Sequence, residues 1–155
     1  MSGVVFTHLA LSVSWNVAIT EQDGRRSFFK LQESAGEVYE LADSLGSLDR
    51  DVILSHAKQV PEIERYLEEI EVPCMSFSSL LDRYAVDSID LLHIDAEGYD
   101  AKLLSSFPWE RLEPGYVLYE HHHLSADERA TTESLLRGLG YQLRWSRTNT
   151  LAVKH

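Results

Sequence analysis

The chain has 155 residues, of which 44% are hydrophobic and 25% are charged, and its formal net charge at pH 7 is -11. This composition is typical of a soluble globular protein and excludes the disordered and fibrous classes. The length predicts a single domain, residues 1–155, large enough to bury a hydrophobic core. With 14 basic against 25 acidic residues, neither a nucleic acid nor an anionic membrane is expected as the main partner.

Cys74 is the only cysteine, which excludes an internal disulfide and a cysteine-based zinc site within one chain. A reducing, cytoplasmic location is therefore the default expectation. Residues 4–13 are apolar, lack a basic leader and contain His8, so we expect a core helix or strand there and not a signal peptide. No apolar run approaches the length of a membrane span.

The early part of the chain carries a hairpin signal. Residues 17–20 and 27–31 predict two short strands, and Asp23-Gly24 lies between them. Because glycine tolerates a positive φ angle, such a pair favours a tight turn that joins the two strands directly.

Two helical patterns follow. Residues 33–51 carry apolar side chains every three or four positions, which predicts one interrupted helix that ends at Gly46. A second helix is expected to begin at Pro61, since proline suits the first helical turn, and to stop before Pro73. Serines at 76–79 then offer N-caps for a short helix.

Residues 89–107 predict a strand, a sharp turn and a helix. A nearly continuous apolar run ends at Asp95, as expected of a strand covered on both faces in a parallel sheet. Gly98 permits the turn, and apolar residues then recur at helical spacing. Ligand crevices in open α/β sheets lie outside the carboxyl ends of the strands, so Asp95 stands where such a fold places a functional carboxylate.

The acids of this segment also have a structural explanation. Aspartate is a good helix N-cap, and acids in the first turn offset the helix dipole. That explanation is favoured for Asp100, whereas the residues alone leave Asp95 and Glu97 equally open to both roles. His93 lies within the strand, and we expect it to have a buried hydrogen-bond partner.

The last third of the chain predicts a strand, a helix and a hairpin. The first strand ends in Glu120 and is followed by three histidines. Ser125 and Glu128 have the spacing of a capping box, and Gly140 ends the helix that they start. The predicted strands are residues 116–120, 141–145 and 151–153. This order is typical of the second half of a doubly wound sheet whose last strand runs antiparallel.

The central stretch resembles the I-D-x-E-G-x-E segment of the FkbM methyltransferases. The residues that match are Asp95, Glu97 and Gly98. Asp100 stands where that family usually has Glu, and His93 stands where Lys is common. Looser likenesses occur at residues 76–82, at residues 117–120 and at Gly140-Tyr141, and the resemblance spans roughly residues 14–153.

This resemblance implies a Rossmann-like α/β fold and S-adenosylmethionine-dependent methylation of a hydroxyl on a sugar, polyketide or other small metabolite. Such an enzyme needs in-line positioning and a group that takes the acceptor's proton. The candidates for catalysis are Asp95, Glu120 and His122. Since Asp95 and Glu120 are expected to end neighbouring parallel strands, we predict that they converge on one pocket. Glu97 and Gly98 are the candidate cofactor contacts.

The same residues allow a metal site as an alternative. Asp95, Glu120 and His121 offer ligands that suit a hard or borderline ion. We favour the metal-free interpretation, because three consecutive histidines cannot all face one ion from a strand. For each histidine alone, an exposed or hydrogen-bonded structural role is the better expectation.

The cofactor motifs of this class are not visible. A full site requires a Gly-rich loop after an early strand and an acid after the next one. Gly138 and Gly140 lie after a helix and before a strand, which is the wrong order. We therefore interpret the chain as an N-terminally truncated doubly wound sheet. Two hypotheses stay open: a methyltransferase, and a non-catalytic remnant that serves as an interaction module or half-site.

Truncation of this kind predicts oligomerisation. A sheet without its first strands exposes an edge and apolar surface, and such edges are normally paired or blunted. Residues 4–13 cover part of it in this interpretation, and a second copy of the chain covers the rest.

Overall fold

The computed structural model describes residues 7–8, 11–12, 17–36, 38–40, 42 and 45–154. The strands are β1 Thr7–His8, β2 Leu11–Ser12, β3 Ala18–Ile19, β4 Gly24–Leu31, β5 Gly46–Ser47, β6 Leu67–Met75, β7 Leu91–Ile94, β8 Tyr116–Glu120, β9 Gln142–Trp145 and β10 Asn149–Val153. The helices are α1 Glu33–Gly36, α2 Arg50–Leu54, α3 Ile63–Tyr66, α4 Phe77–Arg83, α5 Asp100–Ser106 and α6 Ala126–Gly138, with a 3₁₀ helix at Ser55–Lys58. The fold is therefore mixed α/β.

Two mixed four-stranded sheets form most of this fold. The carboxyl-terminal sheet has the order β7-β8-β10-β9, with β7 and β8 parallel and β10 antiparallel to both of its neighbours. The first sheet has the order β3-β6-β4-β5, and β1 pairs with β2 separately. The α/β class and the terminal antiparallel hairpin are confirmed, whereas the doubly wound arrangement stays a prediction.

The carboxyl-terminal sheet follows the local signals of its sequence. Ser125 caps α6 by accepting a hydrogen bond from the backbone N–H of Glu128, whose carboxylate accepts one from Ser125 in return. Gly140 has φ +90° just beyond the helix, where a side chain would be strained. The predicted capping box and the helix stop are both confirmed.

The predicted hairpin at Asp23-Gly24 is wrong. Strands β3 and β4 do form, but each pairs with β6, which lies between them. Asp23 does not turn the chain back on β3: its carboxylate accepts hydrogen bonds from the Ser76 backbone N–H at 2.7 Å and from the Ser79 hydroxyl at 2.6 Å. These contacts hold the chain at the end of β6. Strand β4 then runs along the edge of β6 that is opposite to β3.

The helix predicted from Pro61 is also largely wrong. Only Ile63–Tyr66 is helical, and Leu67–Met75 is strand β6. Residues 67–74 pair with all of β4, and the salt bridge between Lys30 and Glu68 spans a directly opposed pair of the two strands. Pairing with a partner strand therefore outweighs a local helical spacing, as β structure commonly does.

Gly46 begins strand β5 and does not end a helix. A Cβ at this position would lie 2.6 Å from Cζ of the Phe28 ring, so a residue other than glycine would require that ring to move. The region predicted as one helix contains α1, β5 and the start of α2. Of the apolar start, residues 7–8 and 11–12 are strand, and the other positions of 4–13 lie outside the described residues.

Strand β7 is buried on one face, not two. Leu92 and Ile94 are fully buried, whereas Leu91 and His93 are exposed. His93 is therefore not the buried residue that we expected. The buried face packs on the main core, which unites this sheet with α4, α5 and α6. Its members include Phe77, Leu81, Leu92, Ile94, Leu104, Phe107, Trp109, Tyr119 and Leu136.

Candidate active site

The carboxyl ends of β7 and β8 lie side by side. These strands are parallel and pair Ile94 with Tyr119. The next residues, Asp95 and Glu120, are therefore neighbours at the ends of the two strands. Burial raises the pKa of Glu120, the carboxylates of Asp95 and Glu97 add to the rise, and His122 opposes it. Asp95 and Glu120 thus end adjacent parallel strands, as predicted, whereas their convergence on one pocket stays a prediction. Asp95 is exposed and Glu120 is half-buried.

The turn after β7 has an unusual backbone. Glu97 and the next residue, Gly98, have φ +46° and +89°, which is rare for a residue with a long side chain such as Glu97. A Cβ at Gly98 would lie 3.2 Å from Val52 of α2 and 3.4 Å from the Cβ of His123. The Ser47 hydroxyl donates a hydrogen bond to the Glu97 carbonyl at 3.2 Å. The turn is thus held between α2, β5 and the loop that follows β8.

His123 lies between two carboxylates. Its Nε2 is 3.3 Å from Oε2 of Glu97 and 3.8 Å from Oε2 of Glu120. All three side chains are mostly buried, with exposed fractions of 17%, 22% and 18% respectively. The rings of His56 and His122 lie 5.6 Å and 5.0 Å from the ring of His123. The turn at the end of β8 thus presents His123 to the carboxylates.

Neither His123 nor His56 is singled out by the amino-acid sequence. His123 belongs to the histidine triplet, but which member faces the acids depends on a turn that periodicity does not predict. His122, the member selected from the sequence, is exposed. His56 stands in the 3₁₀ helix Ser55–Lys58, far from the motif in the chain, and no local pattern marks it.

His121 occupies a different environment. It is buried, and its Nδ1 lies 2.8 Å from the Thr150 hydroxyl of β10. Its backbone N–H donates a hydrogen bond to the Thr148 carbonyl. Burial, and then the charge of Arg129, lower the pKa of this imidazole. The structure thus anchors His121 to β10, whereas His123 contacts the acids.

Asp100 connects the ends of the two strands. Its carboxylate is fully buried and accepts backbone hydrogen bonds from Glu120 at 3.1 Å and from Ala96 at 3.3 Å. Burial raises the pKa of Asp100 to about 7, and those two N–H bonds oppose the rise. Its contacts are structural, as expected, but Asp100 is not the cap of α5: that position is Tyr99, which makes no side-chain capping bond.

The space beside Asp95 is small. The cleft that includes Asp95 has a volume of about 40 Å³ and is lined mainly by β3, β5 and the turn after β7, without Glu120. Sites for cofactor-sized molecules measure roughly 300–1,000 Å³. A larger cleft of about 460 Å³ lies between α5 and α6, but neither Asp95 nor Glu120 lines it. The described residues around Asp95 thus do not fit S-adenosylmethionine.

A family model decides what this arrangement belongs to. The model described as the methyltransferase FkbM domain matches residues 7–143. The chain belongs to the FkbM methyltransferase family. In this FkbM domain the matched range includes His56, Asp95, Glu97, Glu120 and His123. Membership suggests a methyltransferase and the use of S-adenosylmethionine.

Two further comparisons found nothing. No curated protein and no solved structure matches the FkbM domain described here. Within the described residues, no helix has the length and apolar character needed to cross a membrane.

Proposed function

We propose that this FkbM domain supports S-adenosylmethionine-dependent methylation of a hydroxyl on a small metabolite or sugar. The observation that carries the proposal is the cluster of Glu97, Glu120 and His123 at the ends of parallel strands in a chain of this family. We also propose that the carboxyl-terminal sheet is the second half of a doubly wound, Rossmann-like sheet. The acceptor then lies outside the carboxyl ends of its strands, as is usual in such folds.

Each residue of the cluster has a distinct role on the acceptor side. Glu120 takes the hydroxyl proton, since its raised pKa makes it a stronger base than an ordinary carboxylate. His123 and Glu97 border Glu120, with His123 Nε2 3.8 Å from the Glu120 carboxylate and 3.3 Å from that of Glu97. The exposed carboxylate of Asp95 accepts hydrogen bonds from neighbouring hydroxyls of the acceptor. The exposed ring of His122 contacts the acceptor next to Glu120.

The small cleft beside Asp95 favours a second candidate function. A volume of about 40 Å³ does not hold a nucleoside cofactor. A catalytically incomplete domain, acting as an interaction module or as one half of an assembled site, would not need a cleft large enough for the cofactor. Cofactor binding therefore discriminates the two candidates.

Titration of S-adenosylmethionine into the 155-residue protein by calorimetry is the direct test. We expect no micromolar binding, because the described cleft beside Asp95 measures only about 40 Å³, whereas sites for molecules of this size measure roughly 300–1,000 Å³. Micromolar affinity would contradict the half-site candidate and show a complete site built from other residues.

Methyl transfer tests the role of Glu120. With millimolar labelled S-adenosylmethionine and a panel of hydroxylated acceptors, Glu120→Gln should lower the rate by roughly 10²–10⁴-fold. Glu113→Gln is the matched control, because Glu113 is exposed and pairs with Lys154 at the other end of the sheet. Equal rates in Glu120→Gln and the wild type would remove the assigned base. No transfer to any acceptor would favour the half-site candidate.

A further inference from the structure

Three residues from separate segments bring metal-ligating atoms together. His56 stands in the 3₁₀ helix, Glu97 in the turn after β7 and His123 in the loop after β8. One ligand atom of each lies within 4.8 Å of the other two. We propose that His56, Glu97 and His123 bind a divalent transition-metal ion of the zinc type. This site does not rest on the proposed function, because metal binding is measured without methyl donor or acceptor.

His56 supplies an independent indication of a ligand. Its Nε2 is buried and has no hydrogen-bond partner among the described residues. Buried polar atoms are nearly always satisfied, and an exception needs an explanation, such as an ion or a water that binds there. The His56 ring lies beside the His123 ring, tilted by 53°. A metal ion between them would satisfy the buried nitrogen.

Carboxylates gather around His123. The Oε2 atoms of Glu97 and Glu120 lie 3.3 Å and 3.8 Å from its Nε2, and Asp95 ends the strand next to that of Glu120. A bound cation would offset this concentration of negative charge.

The distances suit an ion with short bonds. Donor atoms around a tetrahedral zinc, with bonds of roughly 2.0–2.1 Å, lie about 3.3 Å apart. His123 Nε2 and Glu97 Oε2 are already 3.3 Å apart. A ligand atom of His56 lies within 4.8 Å of a ligand atom of each of these two residues.

The ligand chemistry selects the class of ion. Two imidazoles and one carboxylate suit zinc and other first-row divalent ions, whereas magnesium and calcium prefer sites made of oxygen atoms. Three protein ligands leave a coordination position open, as in catalytic zinc sites. Glu120 is the carboxylate next to these three ligands, with its Oε2 3.8 Å from His123 Nε2.

The surrounding backbone supports the site. Gly98 has no side chain, which allows α2 and the loop of His123 to approach the turn, and Ser47 holds the Glu97 carbonyl. Helix α2 is capped by Asp49 and continues directly into the 3₁₀ helix of His56. Such outer contacts orient metal ligands and contribute to affinity.

The test is to titrate the metal-free protein with zinc and to measure binding by calorimetry. A parallel titration with cobalt is monitored by the visible absorption of the bound ion. His56→Ala, Glu97→Gln and His123→Ala should each weaken zinc binding by roughly 100-fold or more, since loss of an outer-shell partner alone costs about 10–100-fold. His93→Ala is the matched control, because His93 is exposed on β7. It should bind as the wild type does, and excess magnesium should not compete.

Circular dichroism of each variant shows whether it folds, and His123→Asn replaces His123→Ala if the latter does not. Zinc should raise the melting temperature of the wild type and of His93→Ala but not of His56→Ala. Absence of zinc binding in the wild type would overturn the proposal, as would unchanged binding in His56→Ala. Loss of binding in Asp95→Ala and His121→Ala alone would place the ion at Asp95, Glu120 and His121 instead.

Discussion

The two four-stranded sheets differ in how they are held together. The carboxyl-terminal sheet packs on a large apolar core that includes Phe77, Leu104 and Tyr119. Among the described residues the first sheet has a smaller core, and the first four residues of strand β4 are exposed. The buried members of that core are Leu31, Ala35, Ala42, Leu45, Ile53, Val60 and Ile63.

The candidate site draws on both regions. Glu97, Glu120 and His123 follow strands of the well-packed sheet, whereas His56 comes from the 3₁₀ helix near the smaller core. A second contact joins the regions, because the Tyr99 hydroxyl donates a hydrogen bond to Glu21 and accepts one from Arg26, both at 2.6 Å. The proposed catalytic carboxylates thus follow strands of the well-packed sheet, whereas the proposed metal site depends on contact between the two regions.

The largest expected effect comes from matched core truncations. Leu92→Ala in β7 should cost about 4 kcal/mol of unfolding free energy, and Leu31→Ala in β4 about 2 kcal/mol, within the range for buried leucines. The first removes contacts from the larger core and leaves a cavity that its rigid neighbours cannot fill. Urea unfolding measures both values. Equal losses would contradict the difference between the two regions.

The next effect concerns the buried carboxylate of Asp100, which links the ends of β7 and β8. The pKa of Asp100 is about 7 when folded, above its ordinary value of 3.8, so the folded state binds this proton more tightly. The resulting stability is fully present below about pH 4 and is lost as pH rises through 7. The wild type should therefore lose roughly 3–4 kcal/mol over this range that Asp100→Asn does not lose.

Urea unfolding of both proteins at several pH values isolates this contribution, because all other titrating groups are shared. Asp87→Asn is the matched control, since Asp87 is exposed. An Asp100→Asn variant with the same pH dependence as the wild type would show that Asp100 does not change its protonation there.

The smallest effect compares helix caps in the two regions. Ser125→Ala removes a reciprocal capping box from the 13-residue helix α6, whereas Asp49→Ala removes one bond from the five-residue helix α2. We expect losses of about 1.5 and 0.5 kcal/mol respectively. Thermal unfolding resolves them, at roughly 2–4 °C per kcal/mol for a chain of this size. Thr131→Ala, on the exposed face of α6, is the control. A larger loss for Asp49→Ala would reverse the comparison.

Local signals predicted much of the carboxyl-terminal sheet. The capping box of Ser125, the stop at Gly140 and the final strands each depend on residues within a few positions of one another. The adjacency of Asp95 and Glu120 was also predictable, because consecutive strand–helix units place parallel strands side by side. Family membership was predictable from the same stretch, since Asp95, Glu97 and Gly98 carry its motif.

The formation of strand β6 and the proximity of His56 to His123 both depend on tertiary structure. Residues 63–70 have the spacing of a helix, but their pairing with β4 satisfies backbone hydrogen bonds that no local pattern records. Likewise, the sequence contains His56, Glu97 and His123 in three distant segments, and only the docking of the 3₁₀ helix against the turn at Gly98 brings them together. The sequence alone therefore determined the family and the acidic strand ends, whereas long-range packing decided which histidine meets them.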